Sequence, residues 1–275
     1  MLRPSFIAAL ACCFLGAAQA QVAAFSEEVP FITTPDHVTV AMLELAGVGP
    51  ADRVIDLGSG DGRIVVTAAR RFGARGLGVE IVPDLVARSR ENARRAGVAD
   101  RAEFREQDLF ATDLSGASVI TMYLLPEVNL QLRPRLLALA PGTRIVSHDW
   151  DMGDWTPDRT LTVEVPEKSI GREKLSRLHL WVVPARVEGL WCGPGGVALR
   201  LEQRHQELRG RTERPGDART WTGRADGATI ELIGAGGARW RARLDAAGTL
   251  QPVDGGPPGT PLRRAAGERC AAGAA

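Results

Sequence analysis

Lysine is almost missing from this chain: of its 34 basic residues only Lys168 and Lys174 are lysines, and the rest are arginine. So strong an arginine bias is read as base composition of the gene, and no substrate is drawn from it. A charge excess of either sign is lacking too, since 34 basic residues face 33 acidic ones for a formal charge of +1. That near-balance removes the electrostatic case for a nucleic-acid partner, which ordinarily meets a basic excess on one face. After the N-terminus no apolar run approaches the roughly 20 residues that span a bilayer, so no stable membrane insertion is expected of the mature chain. Tyrosine occurs once, as Tyr123, and cysteine four times. What is present is ordinary: 44% hydrophobic and 24% charged residues exclude wholesale disorder, and 275 residues suffice for one or two domains.

The one distinctive apolar run stands at the start. Arg3 gives a short positive opening, Phe6 to Ala17 is an uninterrupted apolar stretch, and Ala18-Gln19-Ala20 is a small-x-small cleavage site. This is the layout of a secretory signal peptide; the competing reading is a buried N-terminal helix. Residues 1–20 are therefore expected to be removed and the mature chain to be periplasmic or secreted. Export changes the cysteine arithmetic. Cys12 and Cys13 leave with the signal, Cys192 and Cys270 remain, and an oxidising compartment permits them to pair. The alternative is two free thiols. One cysteine pair with His205 is too little for a zinc site, so no metal is expected.

Glycine marks a boundary. Residues 1–185 hold fourteen of the thirty-one glycines and residues 186–275 the other seventeen. The earlier part alternates short apolar runs with helical patterns, the sequence form of βαβ units around a parallel sheet. Strands are predicted at Val54 to Leu57, Gly76 to Val79, Ala102 to Arg105, Ser118 to Met122 and Arg144 to Ser147. Helices are predicted at Ile64 to Phe72, Pro83 to about Ala96 and Glu127 to Leu139. Thr160 to Val165 and Leu178 to Val183 follow without a helix-length gap, which suggests an antiparallel pair ending the sheet. Beyond Arg186 the runs at Gly189 to Cys192, Val197 to Leu201, Thr229 to Ile233, Ala238 to Leu244 and Thr249 to Val253 alternate between Gly-rich turns, as in a small antiparallel β unit. Asp254 to Pro261 reads as a loop and Ala271 to Ala275 as a disordered tail. The division is thus 1–20 signal peptide, 21–185 α/β domain and 186–275 small all-β domain.

The chemistry concentrates in Asp56-Leu57-Gly58-Ser59-Gly60-Asp61-Gly62-Arg63. A strand runs into a glycine-rich turn and then into a helix, and alternate glycines permit positive φ and close approach of a ligand to backbone. Glu80 ends the second strand, where a carboxylate can accept both hydroxyls of a ribose, and Asp108 ends the third, beside the place for an adenine. A dinucleotide fingerprint needs G-x-G-x-x-G, and Arg63 stands where its last glycine belongs. The spacing resembles motif I of class I S-adenosylmethionine-dependent methyltransferases. Pro30-Phe31-Ile32-Thr33-Thr34-Pro35, Tyr123-Leu124-Leu125-Pro126 and the run Ser147 to Trp155 extend the likeness. Together they are similar to the bacterial relatives of protein-lysine methyltransferases of the ATP-synthase c-subunit type, over residues 30–185.

That resemblance implies a Rossmann-like fold with a mostly parallel seven-stranded sheet, and S-adenosyl-L-methionine as cofactor. It implies that Asp56, Gly58, Ser59, Gly60, Asp61, Glu80 and Asp108 hold the cofactor while Thr33 and Thr34 close over it. The partner implied is a methyl acceptor, a protein side-chain amine such as lysine or a related nucleophile. A lysine, with a free pKa near 10.4, costs about 4.6 kcal/mol to deprotonate at pH 7, so the acceptor side needs desolvation or a relay. Tyr123 and, crowding the neighbouring strand ends, Glu127, His148 and Asp149 are the candidates. Two of them have a plainer reading: Glu127 as a first-turn acid answering the helix dipole, His148 as a structural histidine. Two other functions stay open at this point: another group transferase using an S-adenosylmethionine derivative, and an exported binding protein on a retained methyltransferase fold.

Overall fold

Four of the five residues of β1 (Arg53–Leu57) are buried, as befits a strand covered on both faces, and β1 lies inside a seven-stranded sheet. Its companions are β2 (Arg75–Glu80), β3 (Ala102–Glu106), β4 (Val119–Met122), β5 (Arg144–His148), β6 (Arg159–Glu164) and β7 (Leu175–Val182). They lie in the order β3-β2-β1-β4-β5-β7-β6. The first five are parallel, and β7 runs antiparallel to both β5 and β6. The sequence order reverses between β1 and β4, the switch point where open α/β sheets bind ligands beyond the carboxyl ends of their strands. The computed structural model describes residues 32–168, 173–214, 217–254 and 259–270, and from Thr33 onward the chain forms one compact unit. The expected signal segment 1–20, Pro30-Phe31 and the expected tail Ala271 to Ala275 lie outside the described residues.

Among the described residues four helices cover the sheet: α1 (Asp36–Leu45), α2 (Arg63–Phe72), α3 (Pro83–Arg95) and α4 (Pro126–Leu136). The pleat sorts neighbouring strand residues to opposite sides. Val54, Val119 and Val146 join Val38, Met42 and Leu43 of α1 and Ile64 and Ala68 of α2 on one side. Ile55, Leu57, Ile120, Met122 and Ile145 meet Leu132 and Leu136 of α4, with Trp155 and Trp181, on the other. No helix among the described residues is long and apolar enough to cross a membrane.

The C-terminal strands are β8 (Gly189–Gly193), β9 (Val197–Arg204), β10 (Glu207–Arg214), β11 (Asp217–Asp226), β12 (Thr229–Gly234), β13 (Arg239–Leu244), β14 (Thr249–Asp254) and β15 (Leu262–Arg264). They close into an antiparallel barrel. Its interior holds Trp191, Leu199, Leu201, Leu208, Trp221, Ile230, Leu232, Trp240 and Leu250, all buried. The fold class expected from the sequence is the one found, with three strands added. β10 and β11 escape the periodicity reading because their outward positions are arginine, glutamate and threonine and few large apolar residues point inward. Pairing along both edges makes them strands. The stretch read as a loop from Asp254 is followed at once by β15, whose three residues pair with β14 and β8 and complete the circle. Cys192 and Cys270 are joined as a disulfide.

Candidate active site

At the carboxyl end of β1 the backbone turns through Gly58, Gly60 and Gly62, all at positive φ. From Val54 to Gly62 only Gly58 is exposed, so the turn offers its backbone at one point. A Cβ at Gly58 would stand 2.9 Å from Cδ2 of Leu124; the loop after β4 therefore presses against the glycine turn, and no larger residue fits. Asp56 is buried and accepts a 2.7 Å hydrogen bond from Oγ1 of Thr121. Burial, reinforced by the charges of Glu80 and Asp61, pushes its carboxyl up to about 7 against the bond from Thr121. Asp61 also suffers burial, but the hydrogen-bonded Arg63 guanidinium holds its carboxyl below the usual range.

Glu80 is tied to the turn. Its Oε2 accepts from the Gly60 amide at 2.9 Å, and Oε1 accepts from the amides of Ile81 and Val82 at 2.8 and 3.1 Å. Two carboxylate oxygens offer about four lone-pair sites, so three bonds leave acceptor capacity for a ligand hydroxyl. Asp108 is exposed at the end of β3 and spends Oδ1 on the amide of Phe110. Two large apolar side chains stand out of the surface beside these acids, Ile81 at 68% and Phe110 at 39% exposure. Each follows its acid by one or two residues, and an exposed apolar side chain there offers a surface that a flat base can cover; the sequence reading missed both. No local pattern marks them off from core residues; their exposure does. Ser59 places a buried Oγ beside this turn with no hydrogen-bond partner. Exposed glycine backbone, spare carboxylate capacity, exposed apolar side chains and an orphaned hydroxyl together suit a nucleoside carrying a ribose.

The residues expected on the acceptor side divide. Tyr123, His148 and Asp149 come together; Glu127 does not. Its carboxylate is exposed in the first turn of α4 with no hydrogen-bond or ion-pair partner among the described residues, the place for an acid that answers the helix dipole. Tyr123 stacks on His148 with ring centroids 3.9 Å apart, and its hydroxyl donates to Oδ2 of Asp149 at 3.3 Å. Burial and then the Asp149 charge push the phenol up to about 12, so it stays protonated and acts as a donor. His148 is buried between two hydroxyls, with Nδ1 3.1 Å from Oγ1 of Thr34 and Nε2 2.8 Å from Oγ of Ser176. Burial brings its imidazole down to about 4, against the pull of Asp149. His148 is accordingly neutral and a tether rather than a proton carrier. Through it Thr34 is fixed over the sheet, and the Thr34 carbonyl accepts from Arg63 at 2.9 Å. Thr33 is exposed beside it.

Asp149 adopts φ +63°, uncommon for a residue with a side chain. Its Oδ1 accepts from the Arg177 amide at 3.0 Å and its Oδ2 from Nζ of Lys168 at 2.6 Å. Burial acts to raise this carboxyl, but the Lys168 hydrogen bond and neighbouring positive charge hold it below the usual range. Lys168 is the second group the sequence reading missed. It arrives from the chain between β6 and β7, a contact no local spacing announces.

The model of the ANTKMT methyltransferase domain family matches residues 56–159. The protein-lysine N-methyltransferase of Saccharolobus islandicus is 43% identical over 138 residues, covering 50% of this chain and 86% of that protein. The adenine nucleotide translocase lysine N-methyltransferase of Mus musculus is 34% identical over 132 residues, but there the match spans 47% of this chain and only 57% of the mouse protein. Among solved structures, an RNA methyltransferase from Salinibacter ruber in complex with S-adenosyl-L-homocysteine is 52% identical, with a TM-score of 0.51, covering 57% of this chain and 96% of that one. The bounds of the family match, 56–159, lie within the α/β part and include the glycine turn, Glu80 and Asp108. The chain belongs to the S-adenosylmethionine-dependent methyltransferases, in the family of the archaeal protein-lysine N-methyltransferase that it matches.

Proposed function

We propose that this chain transfers a methyl group from S-adenosyl-L-methionine to a lysine amine of a protein, and that it does so after export. The observation that carries the reading is the meeting of Tyr123 and Asp149 at the ends of β4 and β5, one residue from the Leu124–Gly58 contact with the glycine turn. The names of the lysine-methylating relatives support the acceptor class.

Glu80 and Asp108 would hold the ribose and the base edge, Ile81 and Phe110 the faces of the base, and Gly58 the tail. When bound, the cofactor supplies an already activated methyl on a sulfonium, so the protein's tasks are to align an amine in line with it and exclude water. Asp149, ionised and half-buried, attracts the incoming ammonium and accepts one of its N–H bonds. Tyr123, protonated throughout the neutral range, fixes the carboxylate and walls off solvent on that side. Loss of water favours the neutral amine, and the released proton leaves over the carboxylate to solvent. Thr34, locked by His148 and Arg63, closes the other side. The signal layout of residues 1–20 and the Cys192–Cys270 bond support an oxidising destination.

The test is transfer of labelled methyl from S-adenosyl-L-methionine to a periplasmic protein extract, followed by acid hydrolysis of the products. Label in methyllysine is expected. Tyr123→Phe keeps the ring on His148 and removes only the hydroxyl, so turnover should fall roughly tenfold with cofactor affinity unchanged. Label recovered in RNA, the acceptor that the name of the Salinibacter ruber enzyme gives, would contradict the acceptor assignment.

A further inference from the structure

We infer that Lys168 is a methyl acceptor within its own chain, a modification site fed by the same glycine-turn cofactor site. This rests on the methyltransferase reading above. In a sequence that uses arginine for nearly every cation, one of two lysines has its amine inside the acceptor cluster. Arginine could supply the charge to Asp149, but it lacks an aliphatic amine that becomes a nucleophile on losing one proton.

Geometry specifies the product. Nζ of Lys168 donates to Oδ2 of Asp149 at 2.6 Å and to the carbonyl of Leu175 at 2.6 Å, and its side chain is 17% exposed. An ammonium has three N–H bonds, so two are fixed and one is free. The third proton, bonded to neither acceptor, passes directly to solvent, which leaves a neutral amine whose lone pair occupies the free position. That pair attacks the methyl carbon, the N–C bond forms, and the C–S bond breaks with its electrons going to sulfur. The sulfur of S-adenosylhomocysteine leaves uncharged and the methylated nitrogen keeps the positive charge. Both original hydrogen bonds survive this first transfer. A second methyl would have to replace a hydrogen engaged by Asp149 or Leu175, so the reaction stops at monomethyl-lysine.

A chain of contacts links Lys168 to the glycine turn. Asp149 bonds both Lys168 and Tyr123, Tyr123 adjoins Leu124, and Leu124 lies against Gly58. Lys174, the internal control, is exposed, and its Nζ donates to the backbone carbonyl of Lys168 rather than to the cluster.

Two measurements on the full exported chain test this. In the first, an amine-acylating reagent labels the protein with and without saturating S-adenosylhomocysteine. Labelling of Lys168 should slow several-fold on binding while that of Lys174 stays constant; an unchanged Lys168 rate overturns the inference. In the second, the chain is incubated with S-adenosyl-L-methionine bearing a heavy methyl and the peptides are weighed. One heavy methyl on Lys168, gained with a rate constant independent of protein concentration, is expected. Its absence while an added protein acceptor is methylated would overturn the self-methylation and leave the proposed function standing. A rate that climbs with protein concentration would overturn the reaction within one chain. No methylation of either acceptor, with no protection by S-adenosylhomocysteine, would overturn both readings.

Discussion

Asp56 sits at the carboxyl end of β1 with its carboxyl pushed up to about 7, first by burial. An unfolded Asp titrates near 3.9, so between those values the folded state holds a proton that the unfolded state has lost. Stability therefore falls as pH rises from about 4 to about 7 on account of Asp56, by about 4 kcal/mol if the whole interval is traversed. His148 works the other way. Its imidazole lies near 4 when folded and near 6.5 when unfolded, so its contribution grows with pH over that range and is lost as pH falls. The two slopes oppose each other, and single variants separate them. Asp56→Asn should gain in melting temperature relative to the parent as pH rises from 4 to 7, with a constant difference above 7; a difference that is flat throughout would refute the buried-acid account. At this scale the cofactor residues were legible because their spacing along one turn is local. Lys168, Ile81 and Phe110 were not: the first reaches Asp149 through the chain reversal between β6 and β7, and the other two declare themselves only by exposure.

Among the elements, the barrel's closure is the least covered by ladder bonds. β15 contributes three residues and pairs with β14 and β8 through two positions each. Other contacts hold the seam. Arg264 lies 4.7 Å from the Trp191 ring centroid and donates to the carbonyls of Glu188 and Arg186. Cys270 is bonded to Cys192 of β8 across a separation of 78 residues. A loop of that length is worth about 4.5 kcal/mol in the chain-entropy account. Cys192→Ser should lower the melting temperature by roughly 10 °C, and reductant should do the same to the parent but nothing further to the variant. Equal melting with and without reductant would remove the bridge from the account. The sheet's strands were readable because β1, β4 and β5 are apolar runs flanked by helices. β10, β11 and β15 were hidden because alternation in an arginine-rich, small-residue strand has little amplitude, and only the cross-strand register reveals which side faces in.

On the scale of the molecule, the barrel rests on the α/β part through polar contacts. The amide of Ala185 donates to Gly227, Gln203 donates to Ala185, Gln206 donates to Thr156, and Arg224 and Arg204 pair with Asp158 and Asp154. The contacted residues follow β5 or end β7, so the barrel is anchored to the edge of the sheet that carries Asp149. Cofactor binding, on which the proposed function depends, belongs to the other half of that sheet, where Glu80 both fastens the glycine turn and keeps capacity for a ribose. Titration calorimetry with S-adenosyl-L-methionine on the exported chain and on Glu80→Ala tests this most directly. Removing a carboxylate that accepts charge-assisted bonds forfeits roughly 1.5–3 kcal/mol per bond, so the parent should bind at one site and the variant at least tenfold more weakly. No heat of binding at millimolar cofactor in the parent, or equal affinity in both proteins, would contradict the account.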